Sequence, residues 1–287
     1  RQQFKKPISS FQTIQNYIAD MATEIDAARL LLYRACAFKD AGQAFSSEAA
    51  MAKLFCSTVA TRVTNLALQV HGGYGYSKEY DVERYYRDAR IHRIWEGTNE
   101  INRLLIPGII LRKSEKGELP LQAEAMKAFE SLMAPSFEEL DESVPFATEK
   151  ALLANLKTLF LILSGTGVQK FMDKIADEQE ILMAAADIAI QIFALESAVL
   201  RAEKALKVFS ERKQELVKAA VKVFAFNASE IVGTAARKGA FYVEEGDTLI
   251  MLLSGVRRFS KYDASGLLAA KRLLADASCE EEKYMFR

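Results

Sequence analysis

The sequence predicts an all-α protein: a four-helix up-and-down bundle followed by a second helical-bundle domain. Three observations predict it. Apolar residues recur at intervals of three and four along most of the chain, the period of a helix with one buried face. No prolines follow Pro145, as long helices require, because an interior proline costs roughly 3 kcal/mol. No stretch shows the strict alternation of a half-buried strand.

The elements follow in order. Ser9 and Ser10 are candidate caps for a helix carrying Ile14, Ile18, Met21, Ile25, Ala28 and Leu32 on one face, ending near Gly42. Ser46, Ser47 and Glu48 open a second helix with Ala52, Phe55, Val59, Val63, Leu66 and Val70 on a stripe, stopped by Gly72 and Gly73. A shorter segment follows Glu79, and residues 98–111 form a fourth helix in which Pro107 introduces a bend. The charged, proline-containing stretch beyond residue 112 reads as a linker around one amphipathic helix, Leu121–Met133. Long periodic segments then cover 148–175, 178–210 and 213–238, with shorter ones at 246–257 and 264–276. The expected organisation is therefore 1–112 as a first bundle, 113–146 as linker and 147–287 as a second helical domain.

Composition narrows the function. Half of the 287 residues are hydrophobic, enough for a sizeable core, which excludes a disordered chain. With 38 basic and 38 acidic residues the chain carries no net charge, and nothing points to nucleic acid. Cys36, Cys56 and Cys279 cannot pair completely and lack zinc spacing, so they read as reduced core thiols. Two histidines, His71 and His92, are too few for a His-rich metal centre or a Ser-His-Asp signature, and no metal is expected. No apolar run approaches the ~20 residues of a membrane span, and no secretory leader opens the chain. The expected setting is intracellular, a bacterial cytoplasm or a mitochondrial matrix. Arg1 in place of an initiating Met leads to the expectation of a piece of a longer protein.

The halves share residues at a fixed spacing. Asp20, Ala22, Ile25, Arg34 and Ala35 have counterparts 167 residues later in Asp187, Ala189, Ile192, Arg201 and Ala202. Lys53 and Phe55 have theirs 169 later in Lys222 and Phe224. An internal duplication and the periodicity common to amphipathic helices both fit. Either way the later half has GTAARKGAF where the first has a glycine-rich turn, so the suspected chemistry lies in the first alone.

That chemistry concentrates in residues 69–103, QVHGGYGYSKEYDVERYYRDARIHRIWEGTNEINR, which hold the only tryptophan and five of the ten tyrosines. Gly72, Gly73 and Gly75 permit positive φ and close approach of backbone to a phosphate or flat ring, or simply end a helix in a tight turn. Glu96 stands between Trp95 and Gly97, before the candidate caps Thr98 and Asn99. It fits a general base whose pKa is raised in an apolar pocket, or a carboxylate serving the next helix N-terminus. The charged run from Glu83 to Arg93 reads as ion pairs on a solvated face, His71 as a turn histidine or ligand contact, and Tyr85 with Tyr86 as packing.

QVHGGYGY, RDARIHRIWEGTNEI and the opening RQQF closely resemble the C-terminal catalytic domain of the acyl-CoA dehydrogenases, over residues 1 to about 112. Residues 120–287 resemble the added helical domain of the very-long-chain type, by architecture more than by motif. The resemblance implies that Glu96 abstracts the α-proton of an acyl-CoA thioester while the β-hydrogen leaves as hydride to FAD. Its backbone N–H would polarise the thioester carbonyl, Trp95 would line the acyl pocket and Gly97 would leave room for the thioester. Arg1, Gln3 and Phe4 match the motif that reaches the neighbouring subunit's FAD, and Gln69, Gly72 and Gly73 match contacts to that same cofactor. Thr98 and Glu100 match positions holding FAD in their own subunit, with an acid at 100 where glutamine is common.

A homodimer or larger assembly is implied, with electron-transfer flavoprotein or a similar acceptor as partner and fatty-acid β-oxidation as the setting. Family members carry further domains before the arginine motif, so this chain alone is expected to hold FAD loosely and to be inactive. Rival readings are an acyl-CoA oxidase, and a non-catalytic helical scaffold for subunit or membrane association, the latter through Leu121–Met133.

Overall fold

The computed structural model describes residues 1–133, 140–141 and 143–286. The chain opens with a two-stranded antiparallel hairpin, β1 (Gln2–Gln3) and β2 (Lys6–Pro7), and a 3-10 turn at Ile8–Ser10. Helices follow: α1 (Gln12–Asp40), α2 (Ser46–His71), α3 (Gly73–Tyr76), α4 (Val82–Ile91), α5 (Asn99–Glu115) and α6 (Leu121–Met133). The later half holds α7 (Ala147–Phe171), α8 (Gln179–Val208), α9 (Glu211–Val243), α10 (Gly246–Phe259) and α11 (Leu267–Glu281). The all-α class is as expected, and the hairpin is the sole sheet among the described residues.

The bundle that includes the first half closes with a helix from the second. α2 packs against α1, α4 and α5, while α8 packs against α1 and α5, so α1, α2, α5 and α8 form a ring. α4 is only 10 residues long and lies on α2. The expected boundary at residue 112 falls inside α5, which runs on to Glu115. One continuous cluster of buried side chains reaches from Ala19 to Phe286. Its centre is the α8–α9 pair, where Ala186, Ala194, Ala202, Ala225, Ala228 and Ala236 are fully buried and let the two backbones approach closely.

α1 differs instructively from its pattern. The buried arc is Ala19, Asp20, Thr23, Glu24, Ala27, Ala28, Leu31 and Ala35, which keeps Ala28 of the expected face, whereas Leu32 is 45% exposed. With α2 on one side and α8, α9 and α11 on the other, the helix buries a wide arc that takes in two acids. They are answered by Lys271 on Asp20 at 2.9 Å and Arg62 on Glu24 at 2.7 Å.

Several local expectations are corrected. Phe11 and Phe45 occupy the caps of α1 and α2 without a side-chain bond, and Ser10 turns its hydroxyl to the Pro7 carbonyl instead. Cys36 and Cys279 are exposed rather than core thiols; Cys56 is half-buried, and burial pushes its thiol up to about 11. Tyr85 and Tyr86 are exposed, not packed. The segments Ala147–Asp177 and Gln179–Val208 are long and apolar enough to cross a membrane by length and composition, contrary to the sequence reading. Core packing accounts for that composition, since Leu156, Leu159, Ile188 and Leu195 are fully buried against neighbouring helices.

Contacts between the halves are reciprocal. α1 and α8 begin 167 residues apart, and α5 and α11 begin 168 apart. Arg103 on α5 binds Asp187 on α8 at 2.7 Å, while Lys271 on α11 binds the corresponding Asp20 on α1. Phe55 meets its own counterpart Phe224 edge to face, with ring centroids 6.2 Å apart. Lys53 donates to the Gly97 carbonyl just as Lys222 donates to that of Ser265. In this correspondence Ala264 stands where the first half has Glu96.

Candidate active site

The loop between α4 and α5 is held from three directions. Thr98 caps α5 by accepting from the Ile101 N–H at 3.2 Å, as its sequence position suggested. Asn102, one turn further, donates its side-chain amide to the carbonyls of Gly97 and Thr98 at 2.9 and 3.0 Å. Lys53 of α2 reaches up to the Gly97 carbonyl at 2.5 Å and to the Asn99 side-chain oxygen at 3.0 Å. Asn99 is fully buried and is itself tied to Ser57 and Thr58.

This anchoring sustains an uncommon backbone. Glu96 has φ of 54° and Gly97 of 78°, a left-handed pair in which a non-glycine residue persists only when its surroundings hold it. Among the described residues the backbone N–H of Glu96 has no partner. Lys53, Asn99 and Asn102 were not identified as site residues from sequence. Lys53 stood out only as a repeat match, and its role depends on a contact across 44 residues.

Charge follows the same geometry. Desolvation holds the Lys53 ammonium below its ordinary range, with Glu100 and Glu96 working against that shift. Hydrogen bonds from its own backbone N–H and from Thr98, with Arg103 and Arg93 nearby, hold the Glu100 carboxyl below its ordinary range despite some desolvation. Glu100 is therefore a fixed anion in the first turn of α5.

Glu96 does not lie in an apolar pocket made by this chain: it is exposed, and Trp95 beside it is 51% exposed. The walls that would desolvate it do not come from these residues. Ile91, Ile94, Trp95, Ile101 and Leu105, on the loop and its flanking helices, are likewise large apolar side chains left exposed. Trp95 is oriented by its indole N–H, which donates to His92 at 3.1 Å.

The second group of expected residues gathers at the far end of α2. The Arg1 guanidinium donates to the His71 carbonyl and lies over the Tyr74 ring, 5.4 Å from its centroid. Gly72 has φ of 63°, which favours glycine, and a Cβ there would fall 2.3 Å from the tip of the Arg1 side chain, which would have to shift. Gly73 and Gly75 do not adopt positive φ; they belong to α3, and Gly75 is needed because a Cβ would strike the Leu68 carbonyl at 2.4 Å. Gln69 and Gly73 are exposed beside this turn. Gln3 and Phe4 sit on the exposed hairpin that carries Arg1, with Phe4 edge-on to Phe11.

The structure thus brings Trp95, Glu96, Gly97, Thr98 and Glu100 together, and separately Arg1, Gln69, Gly72 and Gly73. It does not join the two groups. From Lys53 beneath the first to His71 at the second, α2 spans about 27 Å at its rise per residue.

Comparison with known proteins supplies the context. Two family models, both described as the C-terminal domain of acyl-CoA dehydrogenase, match residues 1–110 and 155–258. A probable acyl-CoA dehydrogenase of Bacillus subtilis is 36% identical across 99% of this chain. The crystal structure of an acyl-CoA dehydrogenase complexed with FAD from Bacillus anthracis superposes with a TM-score of 0.93 at 39% identity, again over 99% of the chain. The chain spans 51% of the length of each. Over 113 residues, 39% of this chain and 30% of the relative, the chain is also 47% identical to a subunit of the caffeyl-CoA reductase-Etf complex of Acetobacterium woodii. Family models that match both halves, with a relative and a solved structure that match 99% of the chain, place this chain in the acyl-CoA dehydrogenase family, as its C-terminal portion.

Proposed function

We propose that the protein containing this chain is an FAD-dependent acyl-CoA dehydrogenase, converting acyl-CoA thioesters to 2-enoyl-CoA in fatty-acid β-oxidation, with Glu96 as the base. The observation that carries this reading is the left-handed Glu96–Gly97 loop, pinned by Lys53 and Asn102 and offering an unpaired N–H. A thioester α-carbon is a weak acid, so its proton leaves only to a base already in position, with the carbonyl polarised at the same moment. The Glu96 carboxylate takes the proton, and the Glu96 N–H donates to the thioester oxygen, stabilising the negative charge that develops there. Gly97 adds no side chain to this approach. Covering the apolar surface around Trp95 would strip water from the carboxylate and strengthen it as a base.

FAD, when bound, supplies the hydride acceptor for the β-carbon. The residues at the Gly72 turn fit such a group: a cationic Arg1 suits a pyrophosphate, Gln69 is exposed beside it, and the side-chain position of Gly73 is open space. Gln3 and Phe4 ride on the same arm. Thr98 and Glu100 belong to the other group, and the distance between the groups supports one FAD shared by two protomers, hence a homodimer or larger assembly. Electron-transfer flavoprotein or a similar acceptor is the proposed partner, in keeping with the Etf-complex relative. Residues 147–287 are read as a degenerate repeat of 1–112, with Ala264 in place of the reacting acid.

The test is Glu96→Gln in the full-length enzyme. Turnover of acyl-CoA should fall by roughly 10²- to 10⁴-fold with unchanged FAD content. Wild-type turnover in that variant would remove Glu96 as the base. Because this chain leaves Glu96 uncovered, the 287-residue chain alone should lack dehydrogenase activity.

A further inference from the structure

The reciprocal arrangement of the halves fails at one place. Arg34 on α1 binds Glu196 on α8 at 2.8 Å and lies over Phe193, 4.3 Å from the ring centroid. The 167-residue correspondence carries Arg34 to Arg201, Glu196 to Arg29 and Phe193 to Asp26. One side therefore holds an arginine against a glutamate, and its counterpart holds Arg201 and Arg29.

Neither of these arginines has a carboxylate within ion-pair distance among the described residues. Arg29 stacks on Tyr284 at 4.4 Å and Arg201 on Phe209 at 5.0 Å. Asp26 is the nearby acid. It accepts from the Tyr284 hydroxyl and feels both arginines, and burial nonetheless raises its pKa to about 6. Two fixed positive charges thus face one weakly held negative charge.

All three residues line a cavity of about 330 Å³ between α1, α8, α9 and the final residues of the chain. Most of the remaining wall is apolar, with Ala202, Ala205, Val217 and Phe224 forming much of it beside Thr23, Tyr33 and Tyr284. The volume lies within the range of small-molecule sites, roughly 300–1,000 Å³. At the ~30 Å³ share of a water molecule it holds about ten methylene-sized groups. The cavity shares no residue with the Glu96 loop or the Gly72 turn.

We propose that this cavity binds a medium-chain fatty carboxylate, its head group between Arg29 and Arg201 and its chain on the alanine, valine and phenylalanine wall. The carboxylate takes the place that Glu196 fills on the opposite side, and a single negative charge balances the site. A neutral amphiphile satisfies only the apolar wall, and a free inorganic anion only the arginines.

Isothermal titration of the 287-residue chain with decanoate, below its micellar range, tests the assignment, with methyl decanoate and inorganic phosphate as comparisons. Saturable one-to-one binding of decanoate is expected, at least tenfold tighter than either comparison. Arg29→Glu supplies the missing acid from the chain itself and should abolish binding while leaving thermal stability at or above wild type. Asp26→Asn removes the competing charge and should tighten binding several-fold, which keeps the test decisive should Arg29→Glu misfold. No saturable binding, equal binding of the methyl ester, or decanoate affinity unmoved by Asp26→Asn would each overturn it.

Discussion

Lys53 on α2 donates to the main-chain carbonyl of Gly97 at 2.5 Å, so a helix interior holds the loop that carries Glu96. The same ammonium also reaches Asn99, the first residue of α5. Lys53→Met should let the Glu96–Gly97 backbone relax toward ordinary dihedrals. In the full-length enzyme kcat is expected to drop by about 10- to 100-fold, since small misplacements of a base are costly. KM should move less than kcat, and Lys53→Arg should restore part of the loss. Equal effects on both constants would point to a general folding defect instead.

Gly72→Ala tests the other group. Gly72 combines φ of 63° with ψ of −140°, a backbone open almost only to glycine and costing about 1–3 kcal/mol for a residue with a Cβ, and that Cβ would displace the Arg1 guanidinium. FAD retention on dialysis of the full-length enzyme should weaken at least tenfold. Gly73→Ala, with open space at its Cβ and no positive φ, is expected to be milder.

Glu24 should leave a signature in the pH dependence of stability. Burial raises its pKa from 4.5 to about 7 in spite of Arg62, and one carboxyl oxygen is buried without a partner. A raised folded-state pKa means that the folded chain binds the proton more tightly than the unfolded one. The stabilisation is complete below about pH 4.5 and lost as pH rises toward 7, by up to roughly 3 kcal/mol. Glu24→Gln should flatten this slope in urea titrations between pH 5 and 8. An unchanged slope would mean that Arg62 keeps the carboxylate ionised throughout.

Leu156 on α7 is fully buried, and Leu156→Ala should lower stability by about 2–5 kcal/mol. Leu268, 62% exposed on α11, serves as the comparison and should change by less than ~0.5 kcal/mol on the same substitution. Denaturant midpoints of the two variants measure the difference.

Much of the helical layout was legible in sequence. The spans expected at 148–175, 178–210 and 213–238 became α7, α8 and α9 with ends shifted by a few residues. Thr98 as a cap and the glutamate between tryptophan and glycine were also evident, because each signal lies within a few neighbouring residues. The hairpin at Gln2–Pro7 was missed, since two-residue strands leave no alternation to see.

What the sequence determined by itself is the class of each segment and the chemical identity of the loop, both written in local periodicity and short-range capping. Tertiary structure decided the rest. It chose α8 to close the ring around α1, α2 and α5, drew Asp20 and Glu24 of α1 inward, and left Cys36 and Leu32 outside. It brought Lys53 under Gly97 and set Arg29 and Arg201 against one cavity. These outcomes depend on which helix faces meet across more than 40 residues of chain, and burial energy acts on the assembled surfaces rather than on any one segment.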